Sequence, residues 1–240
     1  MRIRPSRILL LSALAMMAAP AGLAQPLAPL RVAQATGALP PAGEDLGAAP
    51  AGPRRAQRTA AQTHAVACDG AFGKASNHTN LAAAFGEQNV VFTDVDGPEG
   101  ATLKASVLYP KDPKRRLEVL WHDETTRADT SLIVINGQSS WTAPKGLRLG
   151  LALAALEKLN GRPFTVAGFD QPNGGTVIDW QGGALGDLPG GCSVGVHLVA
   201  DPKAKPAART AAAGAELKSS APVLRAVKPT VGEIILGYQP

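Results

Sequence analysis

The sequence predicts an α+β fold: two degenerate repeats, each a short helix followed by an antiparallel sheet, in one disulfide-pinned domain. Three observations carry this reading. The stretch from Gly150 to Phe164 has the pattern of an amphipathic helix that stops hard and feeds a strand. Several short segments alternate apolar and polar residues, as half-buried antiparallel strands do. The two cysteines, Cys68 and Cys192, bracket those segments.

In the central helix Leu149, Leu153 and Leu156 fall at i, i+4 and i+7, with Ala152, Ala155 and Leu159 widening the apolar stripe. Asn160-Gly161 supplies residues that accept positive φ at a helix end, and Pro163 blocks continuation. Earlier in the chain, Asn77 to Asn80 are cap-type residues, and Leu81 to Phe85 form a shorter helix ended by Gly86. Strands are expected at Asn89–Val95, at Leu103–Tyr109, at Leu117–Trp121 and at Leu132–Ile135. In the second half they are expected at Pro163–Phe169, Thr176–Trp180 and Cys192–Val199. Cys192, Val194, Val196 and Leu198 alternate against Ser193, Gly195, His197 and Val199 along the last of these.

The two halves align loosely, about 63–140 with 141–200. Leu156 lies five residues before Gly161 as Leu81 lies five before Gly86, and each half ends a strand in a tryptophan, Trp121 or Trp180. A tandem helix-plus-sheet repeat is the working expectation. Chance similarity of short units is the alternative.

Flanking segments have other signatures. Arg2, Arg4 and Arg7 precede an apolar run from Ile8 to Met17, and Gly22-Leu23-Ala24 ends in small residues. This predicts a secretory signal peptide of bacterial type over 1–24, too short to span a bilayer. No cysteine follows the cleavage position, so no lipid anchor is expected, and no later stretch is long and apolar enough to cross a membrane. Residues 25–62 are rich in Ala, Pro and Gly, the composition of a disordered linker. Residues 201–240 read as an Ala/Lys/Pro-rich, loose tail, with a possible final strand at 231–238 on a sheet edge. The expected product is a soluble protein of the periplasm or the exterior.

That compartment favours a Cys68–Cys192 disulfide over two free buried thiols, though both remain open at this point. Charge argues against nucleic acid as a partner. The formal net charge is +5, yet residues 63–200 hold 11 basic and 14 acidic side chains. The basic excess sits in the flanks, where weak contact with anionic envelope polymers is expected. A nucleic-acid binder carries its basic surface on the folded body, with aromatics to stack on.

Gly150, Leu156, Gly161 and Pro163 follow a Gly-x5-apolar-x4-Gly-x-Pro spacing. It resembles one in the small outer-membrane assembly lipoproteins of the SmpA/OmlA type and related β-lactamase-inhibitor-like proteins. The resemblance covers about fifteen residues around the central helix. It implies a helix-plus-antiparallel-sheet unit, carried in tandem by the inhibitor proteins, and a non-enzymatic protein that binds partners through a sheet face. Unlike those lipoproteins, this chain lacks a lipidated cysteine.

Chemistry-bearing residues are sparse. Asp94-Val95-Asp96-Gly97 has a calcium-loop look, but Gly falls at position four and Pro98 follows it, so the expectation is a hairpin turn. Trp121-His122-Asp123-Glu124 puts a base beside two carboxylates, but neighbours on a strand point to opposite faces. His64, His78, His122 and His197 show no metal-ligand spacing, and Ser139-Ser140 has no nucleophile-elbow context. No cofactor or metal is expected. Trp121 and Trp180 read as core residues, Trp180 sharing a face with Ile178. Trp141, in a polar loop beyond a strand, is the first contact candidate, the alternative being packing over the central helix; His122, Glu118 and His197 on outward strand faces are the others. The leading expectation is an exported binding module that meets or inhibits another envelope or secreted protein. The alternatives are an envelope hydrolase or carbohydrate-acting enzyme using His122 with Asp123 or Glu124, and a structural envelope protein.

Overall fold

The computed structural model describes residues 64–214 and 216–240, all within one compact unit, Ala56–Pro240. The expected signal peptide at 1–24 and linker at 25–62 lie outside the described residues. The unit mixes helices with antiparallel sheets.

Helix α1 (His78–Phe85) opens where the Asn77 side chain accepts a hydrogen bond from the Asn80 backbone N–H at 2.9 Å, and it ends at Gly86 with φ 88°. A meander follows: β1 (Val90–Asp96), β2 (Thr102–Leu108), β3 (Leu117–Asp123) and β4 (Ala128–Ile135). Two short pairing segments, β5 (Thr142–Ala143) and β6 (Leu147–Arg148), lead to helix α2 (Leu153–Asn160). Gly161 caps α2 in the left-handed region, as the Asn160-Gly161-x-Pro163 pattern predicts. Asn160 has a further task. It is 1% exposed, its amide donates to the carbonyls of Arg162 and Trp180, and its Oδ1 accepts from Leu185 N–H. The helix end is thereby tied to the segment after β8.

Strands β7 (Thr165–Ala167) and β8 (Val177–Asp179) precede β9 (Ser193–Val199). The last part of the chain supplies α3 (Pro206–Ala211), β10 (Glu216–Lys218), α4 (Pro222–Ala226) and β11 (Thr230–Gly237). Two sheets organise these strands. The larger has six strands in the order β1-β2-β3-β4-β11-β9, and the smaller has three in the order β10-β7-β8. After α1 the chain makes one meander within a single sheet. After α2 its strands divide between two sheets, so the halves differ in topology.

The C-terminal region departs from expectation. The described residues of 201–240 are built into the fold: β10 pairs with β7, and β11 lies between β4 and β9 inside the larger sheet. The reason is a few well-placed buried residues. Ala212, Ser219, Leu224 and Val227 are fully buried, and Ser219 Oγ donates to Glu157 Oε2 on α2 at 2.7 Å. Ile234 and Leu236 point into the core while Ile235 points away, so the final strand carries an apolar residue on both faces.

The main core lies on the inner face of the six-stranded sheet. Leu117, Val119 and Trp121 from β3, Ile133 and Ile135 from β4, and Val194, Val196 and Leu198 from β9 meet Leu81 of α1 and Leu153 and Leu156 of α2. Cys68 and Cys192 form a disulfide with Cα atoms 5.9 Å apart, joining the start of the fold to the mouth of β9. Gly190, at φ 88°, runs so close that a Cβ there would overlap the Cys68 carbonyl. Trp180 is 9% exposed and donates from Nε1 to the Val194 carbonyl, whereas Ile178 is 47% exposed and does not share its burial.

Candidate functional site: the outer face of the large sheet

Antiparallel strands with one solvated face carry polar residues on that face. The six-stranded sheet breaks this rule. On its outer face Leu103, Leu120, Leu132, Val134 and Ile235 are half-buried and line a groove of about 570 Å³. All six strands contribute to it, from Val95 and Asp96 of β1 to His197 of β9. The β1–β2 hairpin, with Gly97 and Pro98, walls one end, and the loop bearing Pro172 and Asn173 walls the other.

Register explains the geometry. Val107, Glu118, Val134, Ile235 and Gly195 are successive cross-strand partners, forming one row across five strands. Gly195 has no side chain, which lowers the floor at the β9 side. At the β1 side Val95, Ala105 and Val107 form a second, smaller apolar cluster with Leu103 and Leu120 packed against it. Leu103, Ala105 and Val107 thus share the outer side of the sheet, whereas Tyr109, at the end of the expected strand, joins the main core.

Glu118 and His197 both line this groove. Glu118 is only 6% exposed. Its Oε1 accepts from Arg116 Nε at 3.1 Å and Nη2 at 2.7 Å. His197 Nε2 donates to the Gly174 carbonyl at 2.8 Å, fastening β9 to the end wall. Glu233 faces His197 across the β11–β9 register. His122 lies outside the groove lining and is exposed, with Nε2 donating to the Tyr238 carbonyl at 3.0 Å.

Trp141 requires correction. It is 1% exposed, so its ring presents no contact surface. Phe72 and Phe85 stand edge-on to it with centroids 5.7 Å away, and His64 lies at 5.3 Å. Its Nε1 donates to the Arg115 carbonyl at 2.7 Å. The polar loop around it is local; its burial comes from residues 64–85 folding over it.

The His122, Asp123 and Glu124 constellation is not assembled. Asp123 is exposed, and its Oδ1 accepts from the Thr125 and Thr126 N–H groups at 2.9 and 3.0 Å. Hydrogen bonding, first from the Thr126 side chain and then from its N–H, holds the carboxyl below the usual carboxylate range. It is a turn cap. A different His–Ser contact, unforeseen from the sequence, lies on α1 and β2. Trp121 Nε1 donates to Ser106 Oγ at 2.9 Å, and the same hydroxyl hydrogen-bonds His78 Nδ1 at 2.8 Å. Ser106 is 0% exposed, so no substrate reaches it, and the trio is a buried connection between α1 and the sheet. Burial first, and Arg127 second, push the His78 pKa below its ordinary value. Among the described residues no group of three His, Cys, Asp or Glu is placed to hold a metal ion. None of their helices is long and apolar enough to cross a membrane.

Comparison with protein-family models, with curated proteins and with solved structures finds no match to this chain.

Proposed function

We propose that this protein is an exported, non-enzymatic binding module that holds a partner polypeptide on the outer face of its six-stranded sheet. One observation carries the reading: the half-buried apolar floor made by Leu103, Leu120, Leu132, Val134 and Ile235. A sheet apolar on both faces is ordinarily covered on both. Rimmed apolar patches on folded domains mark interaction surfaces. The N-terminal sequence pattern and the Cys68–Cys192 disulfide support export to an oxidising compartment. The resemblance around Gly150–Pro163 to the assembly lipoproteins and inhibitor-like proteins points the same way.

The test is site-specific photo-crosslinking in the native envelope fraction. A benzophenone side chain at Val134 or Ile235 is expected to trap a discrete partner, and the same probe at Ile178, exposed on the small sheet, is not. Leu132→Asp in the Val134-labelled protein should abolish the adduct. Equal adducts from Val134 and Ile178, or adducts indifferent to Leu132→Asp, sink the reading.

A further inference from the structure

Glu118 is the anomaly of the groove. A carboxylate 6% exposed on an apolar floor is costly to desolvate unless both oxygens are paired. Arg116 takes Oε1 twice, while Oε2 makes no hydrogen bond among the described residues and stays open to the groove. Its cross-strand neighbours are Val107 and Val134, so neither side offers it a donor. Two more carboxylates, Asp96 at the hairpin wall and Glu233 on β11, line the same groove. Arg116 offsets the charge of Glu118; Asp96 and Glu233 remain, and the basic side chain of the lining, His197, has its Nε2 engaged with Gly174. The surface is apolar and acidic at once.

Resting on the binding-module reading, we propose that the occupant is a cationic polypeptide segment. It lies extended, with arginine or lysine between apolar residues, and places one cation on Glu118 Oε2. The charge complement is direct: a guanidinium or ammonium completes the half-satisfied carboxylate, and its apolar stem rests on Leu120, Leu132 and Val134. Length favours a polymer over a small molecule. The groove crosses six strands, which at about 4.8 Å spacing is roughly 24 Å. An extended chain covers that in about seven residues. Glu233 and Asp96 then stand where flanking cations of the same segment fall.

The experiment uses the full chain and a fluorescein-labelled peptide of alternating leucine, arginine and alanine, in about eight residues. A citrulline version keeps the shape without the charge, and a glutamate version reverses it. Fluorescence anisotropy at low salt should show the arginine peptide binding at least about tenfold more tightly than the citrulline one. Glu118→Gln should remove most of that ratio. Because Glu118 also pairs with Arg116, Glu233→Gln provides a second variant at a less buried position, expected to lower the ratio severalfold. Raising the salt should weaken the arginine peptide and leave the citrulline peptide nearly unchanged.

Equal affinity of the arginine and citrulline peptides overturns the cationic proposal and leaves the binding-module reading standing. Failure of every peptide together with failure of the cross-linking overturns both. Tighter binding of the glutamate peptide, or self-association of the chain in sedimentation at the same concentration, assigns the face to an acidic partner or a second copy and overturns the proposal.

Discussion

Replacing Trp141 tests the inner architecture most sharply, because its polar sequence context leaves a contact role and packing both open and the fold buries it. Trp141 loses nearly all solvent contact, 1% remaining, and stands against Phe72, Phe85 and His64. Trp141→Ala removes that contact and leaves a cavity, a change that costs about 3–5 kcal/mol at buried aromatic positions. Trp141→Phe keeps most of the apolar area but deletes the Nε1–H that satisfies the Arg115 carbonyl. An unpaired buried acceptor costs about 1–3 kcal/mol. Set against the roughly 5–15 kcal/mol that holds an ordinary domain folded, the alanine variant sits near the edge of stability. With a urea dependence of about 2 kcal/mol per molar, its midpoint should fall by about 2 M and that of the phenylalanine variant by about 1 M. Circular dichroism in urea reads both. An alanine variant within about 1 kcal/mol of the parent, with partner binding lost, would refute the reasoning and return Trp141 to the surface.

Cys68→Ala with Cys192→Ala should destabilise strongly, since the bond closes a loop of sequence separation 124. The chain-entropy estimate for such a loop is about 5 kcal/mol, and a reductant should produce the same midpoint shift in the parent protein. Thiols that titrate in the native, unreduced protein would contradict this. His78 makes stability depend on pH. Its folded-state pKa lies below the ordinary 6.5 because of burial and then Arg127. The unfolded chain therefore takes up a proton first as pH falls. The contribution is complete above about 6.5 and is lost as pH drops from there through the lowered folded value. Melting curves between pH 8 and 5 should fall less steeply for His78→Gln than for the parent; parallel curves would remove His78 from the account.

Local patterns in the chain were enough for several elements. The alternation of Cys192 to Val199 marks β9 and its inward face, and Asn160-Gly161-x-Pro163 marks the end of α2, because both depend on neighbours in sequence. The Asn77 cap and the Gly86 stop delimit α1 for the same reason. What local patterns miss is set by partners far along the chain. Ala/Lys/Pro composition hides the helices Pro206–Ala211 and Pro222–Ala226, and the placement of this region rests on single residues such as Ser219 reaching Glu157. Trp141 sits in a polar loop, and only the fold brings Phe72 over it. The site was half legible. Glu118 and His197 follow from alternation, while the apolar floor around them was written in the unbroken runs Leu132–Ile135 and Ile234–Leu236. Such runs say that both faces of a strand are apolar. They do not say which face the rest of the chain will cover.

The placement of β11 governs the order in which this molecule can be made. β9 meets the large sheet only through β11, and β11 follows every other strand in the chain. Until Thr230–Gly237 arrives, β4 has an open edge, β9 has no neighbour in that sheet, and neither the inner core nor the outer groove is complete. The sheet therefore closes only once Thr230–Gly237 is present, whatever the order in which the earlier strands pair. The pairings that close it join residues distant in sequence, a topology that folds slowly. Until β11 pairs, the open β4 edge is where mispairing would begin.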